Sequence, residues 1–95
     1  MNLNDFTKSL AAPDPPPECT LALRGLWWDA KGDWSRAHES AQEDEGPDGS
    51  WVHAYLHRIE GDAGNAAYWY RRAGRSPGQQ SLVDEWRSIV ESLLR

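Results

Sequence analysis

Cysteine occurs once in the 95-residue chain, at position 19, and methionine and phenylalanine also occur only once each. A lone thiol closes no intrachain disulfide, so the fold has to stand on its packed core. Long apolar runs are missing as well: nothing approaches the roughly 20 residues that cross a bilayer, and the first residues lack the charged-then-apolar order of a secretory signal. The expectation is a soluble chain in a reducing cytoplasm, with no membrane partner. Basic excess is also absent, since Lys and Arg number 10 against 15 Asp and Glu, a net charge of −5. A net-acidic domain repels phosphate backbones, which argues against nucleic acid. The one local exception, YWYRR at 68–72, reads as core rings beside solvated arginines. No Gly-rich loop has dinucleotide or triphosphate spacing, and neither GxSxG nor HExxH occurs. Cys19 follows a proline run near a helix start, where a thiolate would be favoured, but no base is identified for it. No catalytic residue is assigned, and an enzyme is the less favoured reading.

What the chain has in quantity is large aromatic rings: six Trp and three Tyr beside the single Phe. Each packed ring buries on the order of 150–250 Å², enough for one staple-free domain but not for two cores. Residues 1–49 carry ten acidic and four basic side chains, residues 50–95 five and six, and the acidic excess peaks at EDEGPD, 43–48.

Helix stops are dense. NLNDFTKSLAA places Leu3, Phe6 and Leu10 at helical spacing before PDPPP at 13–17, an extended rod. Residues 1–17 therefore read as a mobile tail and hinge, and 18–95 as a single helical domain. Helices are expected over 18–31 (stripe Leu23, Leu26, Trp27, Ala30), about 34–44 (Trp34, Ala37, His38, Ala41), about 50–60 (Val52, Tyr55, Leu56, Ile59), about 63–73 (Ala63, Ala66, Ala67, Tyr70, Ala73) and from Ser81 to the end. GPDG at 46–49 is read as a break, GRSPG at 74–78 as a loop. The last helix has the most regular apolar stripe, from Leu82 and Val83 through Trp86, Ile89 and Val90 to Leu93 and Leu94.

Two of these units are copies. Laying Gly32-Asp33 over Gly61-Asp62, 29 positions on, brings Trp27 over Leu56, Ala30 over Ile59, Ala37 over Ala66 and Ala41 over Tyr70. On Gly25, Trp28, Gly32, Ala37 and Ala41 in the first unit, and Ala54, Gly61, Ala66, Tyr70 and Ala73 in the second, residues 18–76 resemble a tetratricopeptide or Sel1-like repeat pair. The offset is shorter than the usual tetratricopeptide period of about 34. The strings LWWDAKGDW..AH and WVHAYLHR.EGD....AYWYRRAG are also similar to those of a family of small uncharacterised bacterial proteins with no assigned activity. The resemblance implies an all-α fold: two antiparallel helical hairpins stacked as tetratricopeptide-like repeats, plus a C-terminal capping helix.

At about 100° per residue, Val52, Leu56 and Ile59 of WVHAYLHRIEG point inward while His53, His57 and Glu60 share a flank. Repeat packing would bring His38 toward it. Three imidazoles and a carboxylate suit zinc or another divalent ion, whereas structural histidines would each bond a carbonyl or ring hydroxyl. Trp27, Trp34 and Trp86 lie on core stripes. Trp28, Trp51 and Trp69 either extend the core or, with Tyr55 and Arg58, line a groove for a peptide or small planar ligand. Asp33 and Asp62 are helix caps, and Asp29 is a candidate ion-pair partner of Arg58. The leading expectation is a non-catalytic protein- or peptide-binding scaffold, with a homodimer through the C-terminal helix as one mode of association. The alternative is a metal- or small-ligand-binding protein centred on His38, His53, His57 and Glu60.

Overall fold

Capping residues divide the chain into six helices: α1 Leu3–Ser9, α2 Leu21–Ala30, α3 Trp34–Glu43, α4 Pro47–Ile59, α5 Ala63–Ala73 and α6 Leu82–Leu94. The computed structural model describes residues 1–95, contains no strand, and has a radius of gyration of 12.1 Å. Five helices begin with a side-chain cap: Asn2, Thr20, Asp33, Asp62 and Ser81 each accept the backbone N–H three residues on.

The two Gly-Asp turns are congruent bond by bond. Gly32 and Gly61 both sit at φ 81°, in the left-handed region. Asp33 N–H donates to Trp28 O at 2.9 Å and Asp62 N–H to His57 O at 3.0 Å, while Gly32 and Gly61 donate to Asp29 O and Arg58 O. This pair of bonds closes a helix C-terminus, and the same aspartate then caps the next helix. Hence each turn reverses the chain in two residues, folding α2 onto α3 and α4 onto α5. Helix α4 also packs on α2 and α3, and α6 lies across α1, α2 and α4.

A single cluster forms the core, with Trp27, Leu26, Val52, Leu56, Tyr70, Ile89 and Val90 fully buried. Each core-stripe tryptophan satisfies its indole N–H: Trp27 on Ser9 Oγ (3.0 Å), Trp34 on Leu56 O (3.3 Å) and Trp86 on Leu26 O (3.0 Å). Trp34 and Trp86 are only half-buried, and Trp51, read from the sequence as a border residue, is buried more deeply than either.

Three expectations need correction. The first segment is not a mobile tail: Phe6 is 0% exposed and packs on Trp86, Ser9 meets Trp27, and Lys31 Nζ holds the carbonyls of Leu10 (2.7 Å) and Ala12 (3.0 Å). The proline run leads away from α1 but does not stop it folding back onto α6 and α2. Second, GPDG begins α4 instead of separating helices. Pro47 occupies the first turn, where its missing N–H costs nothing, and Gly49 lets that turn approach the Asp44 backbone, since a Cβ there would lie 2.1 Å from Asp44 O. Third, Arg58 pairs with Glu85 of α6 at 2.6 Å, and Asp29 is left without an ion pair. Along α6, Ile89 and Val90 are buried against the chain's own core, so the outward apolar surface of that helix is Leu82 and Val83. No helix is long and apolar enough to cross a membrane.

Candidate metal centre

Helix periodicity places His53 and His57 one turn apart on α4, and the packing of α3 on α4 brings His38 to the same flank. One ligand atom from each imidazole can be chosen so that all three lie within 4.8 Å of one another. The ring centroids are 4.5 Å (His38 to His53), 4.9 Å (His53 to His57) and 5.6 Å (His38 to His57) apart. Three nitrogens about 2.1 Å from a tetrahedral zinc stand roughly 3.4 Å from each other. Closing from 4.8 Å to that spacing leaves about 1.4 Å to be made up by the three rings, of which His38 and His57 are half-buried and His53 is buried.

The rings are held from outside. Trp34 stacks on His38 one helical turn away (4.7 Å, 20° between planes), and Trp69 of α5 stacks on His53 (3.9 Å, 18°). Trp34 also meets His57 edge-on at 6.3 Å. These tryptophans wall the cluster with apolar surface, and their sequence positions gave no sign of this second role.

Only His57 makes a hydrogen bond: its Nδ1 lies 3.1 Å from Glu60 Oε1. Donation from Nδ1–H to that carboxylate leaves the Nε2 lone pair free, the usual arrangement by which a carboxylate orients a ligating imidazole. Glu60 itself is not among the three converging ligands, so its place is behind His57 and not on the ion. His53, at 4% exposure, bonds no carbonyl. Burial lowers its pKa to about 4, with His38, His57 and Arg72 adding repulsion, and burial likewise depresses His38, helped by His57 and opposed by Glu60. Both rings are thus neutral at pH 7, with lone pairs available to a cation.

His53 and Trp69 also line a polar cleft of about 470 Å³ with Ser50, Asp44, Glu45 and Arg72. The residues expected to form an aromatic groove do not share one. Trp69 belongs to the histidine cluster, whereas Trp28 lies under the Arg36 guanidinium at 4.5 Å. Trp51, Tyr55 and Arg58 run along a different face of α4: Arg75 covers Trp51 at 3.4 Å, Tyr55 donates to Leu82 O at 3.2 Å, and Arg58 is held by Glu85 and by Gln80 O. Their rings and charge serve to fix α6 and the loop before it. Cys19 is buried and its pKa is raised by burial and by Glu18, which keeps the thiol protonated and unreactive.

No protein-family model, curated protein or solved structure matches this chain.

Proposed function

We propose that this protein binds a divalent transition metal, zinc in the first instance, through His38, His53 and His57. One observation carries the reading: three imidazoles, those of His38 and His53 neutral, converge to within 4.8 Å, and none is tied to a backbone carbonyl, as structural histidines would be. All-nitrogen donors favour zinc, copper or nickel over magnesium and calcium. Three protein ligands leave a fourth position free, the ligand count of catalytic zinc sites, and the polar cleft beside His53 gives an incoming ligand a route from solvent.

The test is a zinc titration of chelator-treated protein, followed by melting temperature and calorimetry with magnesium as control. Zinc is expected to bind about one per chain and to raise the melting temperature, by about 2.7 kcal/mol of stabilisation at 100 times Kd. The rise should vanish in His38→Ala, His53→Ala and His57→Ala, each compared with its own metal-free state. No shift in the wild type, or a shift surviving in all three variants, would overturn the assignment.

A second reading, a repeat-type protein-binding scaffold, draws support from the congruent Gly-Asp turns. We read α2–α3 and α4–α5 as a tetratricopeptide-like pair with α6 as its cap. A peptide or a second copy would then use Leu82 and Val83, which are exposed on α6. The two readings are compatible, since the histidines occupy another face.

A further inference from the structure

Away from the histidines, a second cleft of about 320 Å³ opens where α1, α2, α4 and α6 meet. Its walls are mostly apolar: Leu10 after α1, Ala30 of α2, Tyr55 of α4, and Leu82, Val83 and Trp86 of α6. Into this lining α2 sends one carboxylate, Asp29. Two of the cations that could answer it are engaged elsewhere. Arg58 is held by Glu85 and Gln80 O, and Lys31 by the carbonyls of Leu10 and Ala12. Arg87 borders the cleft but makes no ion pair. The ring donors in the lining are spent as well, the Tyr55 hydroxyl on Leu82 O and the Trp86 indole N–H on Leu26 O. Asp29 is therefore a carboxylate at an apolar wall with neither a hydrogen bond nor a salt bridge to the chain.

We propose that this cleft binds a small organic ammonium ion, with the cation on Asp29 and an apolar body against Trp86, Tyr55 and Val83. Charge complementarity selects the cation, because a half-buried carboxylate with no partner in the chain gains a charge-assisted hydrogen bond from an ammonium. The aromatic walls add in the same direction, since Trp and Tyr faces attract cations. Size selects a small ligand: 320 Å³ lies at the low end of the roughly 300–1,000 Å³ range of small-molecule sites. Val83, 60% exposed, and Leu82 form an apolar lip that folding of the chain alone does not cover. The upward shift of the Asp29 pKa by burial is in keeping with a carboxyl that has no partner of its own. This site is independent of the metal reading.

The probe is phenethylamine, titrated at pH 7.5 into the full chain by heteronuclear NMR, with 2-phenylethanol as the uncharged counterpart of the same shape. Saturable binding of the amine in the range of about 0.1–10 mM is expected, as befits a ligand of this few atoms, with shifts at Ala30, Val83 and Trp86. The alcohol should bind at least about tenfold more weakly. Asp29→Asn should erase that preference while leaving the circular dichroism unchanged. Arg87→Glu, a surface change that leaves Asp29 in place, should tighten the amine and not the alcohol. The proposal is overturned by the absence of saturable amine binding, by equal binding of amine and alcohol to the wild type, or by an amine preference that survives in Asp29→Asn. Should Asp29→Asn fail to fold, an amine affinity indifferent to Arg87→Glu overturns it equally.

Discussion

The carboxylate of Glu85, 2% exposed, lies 2.6 Å from Arg58 Nη1 and also accepts the hydroxyl of buried Tyr70, so that one α6 side chain ties α4 and α5 together. A buried carboxylate is tolerable only when its charge and lone pairs are both answered. Burial, and then Glu85 itself, pushes the Tyr70 hydroxyl pKa upward, which keeps Tyr70 a donor. Glu85→Ala is expected to cost about 2–3 kcal/mol, somewhat less than the roughly 3–5 kcal/mol of a fully buried pair, because Arg58 keeps partial access to water. For a chain of this size that is on the order of a 10–20 °C fall in melting temperature. Tyr70→Phe, which removes one hydrogen bond and keeps the ring, should cost about 1 kcal/mol. Equal losses in the two variants would assign the contribution of Glu85 to its bond with Tyr70 and none to its pairing with Arg58.

Removing residues 1–12 should destabilise the domain, because the deletion strips Phe6 from Trp86 and leaves the Trp27 indole N–H and Lys31 without their partners. Phe6→Ala alone is expected to cost about 3–5 kcal/mol, the usual range for a fully buried phenylalanine. A deletion variant that melts within about 5 °C of the full chain would mean that α1 contributes little to stability in solution.

The contrast between α1 and the two hairpins explains what the sequence made legible. Local chemistry wrote the hairpins: Gly32-Asp33 and Gly61-Asp62 each specify a left-handed stop followed by a cap, and both formed where they were expected. The helical period likewise put His53, His57 and Glu60 on one flank. Contacts across the chain were illegible. Nothing near Phe6 announces that Trp86 will cover it, and nothing near Arg58 tells Asp29 from Glu85, since both are acidic and each is more than 25 residues away. Trp34 and Trp69 were visible as apolar residues, but their stacking on His38 and His53 depends on how α3 and α5 pack on α4. GPDG misled for a different reason: Gly and Pro mark helix starts as well as breaks, and Pro47 is of the first kind.

The glycines provide a sharper test of the two turns. A Cβ at Gly32 or Gly61 would meet nothing within 4 Å, so Ala at either position pays only for the positive φ. Gly32→Ala and Gly61→Ala should each cost about 1 kcal/mol, and nearly the same amount. Gly49→Ala is a different case, because its Cβ would lie 2.1 Å from a backbone oxygen and 2.5 Å from the Asp44 side chain. It should unfold the start of α4 and cost several times more, about 3 kcal/mol or above. Chemical denaturation of the three variants would decide, and unequal losses at Gly32 and Gly61 would break the equivalence of the turns.

Asp29 sets a pH dependence. Burial raises its pKa from 3.8 to about 6, and the groups sharing its cleft are Tyr55 of α4 and Arg87 of α6, with only non-ionisable Thr7 and Leu10 from the α1 side. A carboxyl raised in the folded state holds its proton more tightly there than in the unfolded chain, so its contribution is fully favourable below about pH 3.8 and declines as pH rises toward 6. Asp29→Asn, neutral throughout, should therefore gain stability over the wild type as pH increases from 4 to 7.5. A difference between the two proteins that is flat across this window would place the Asp29 carboxyl in ordinary solvent.

Glu60 offers the most discriminating variant of the metal site, because it touches His57 without belonging to the converging three. It is exposed, so metal-free Glu60→Ala should melt within about 1–2 °C of the wild type, as surface substitutions do. Its zinc affinity should nonetheless fall by about 10–100-fold, the usual effect of removing a carboxylate that fixes a ligating imidazole. Glu60→Gln keeps an oxygen that accepts from Nδ1–H but loses the charge, and should fall between the two. Calorimetric titration of the three proteins separates the possibilities. Graded affinities with matched metal-free stability would make Glu60 the orienting group of His57. Identical zinc affinities would remove Glu60 from the site, and a loss confined to metal-free stability would reduce the Glu60–His57 contact to a helix-end ion pair.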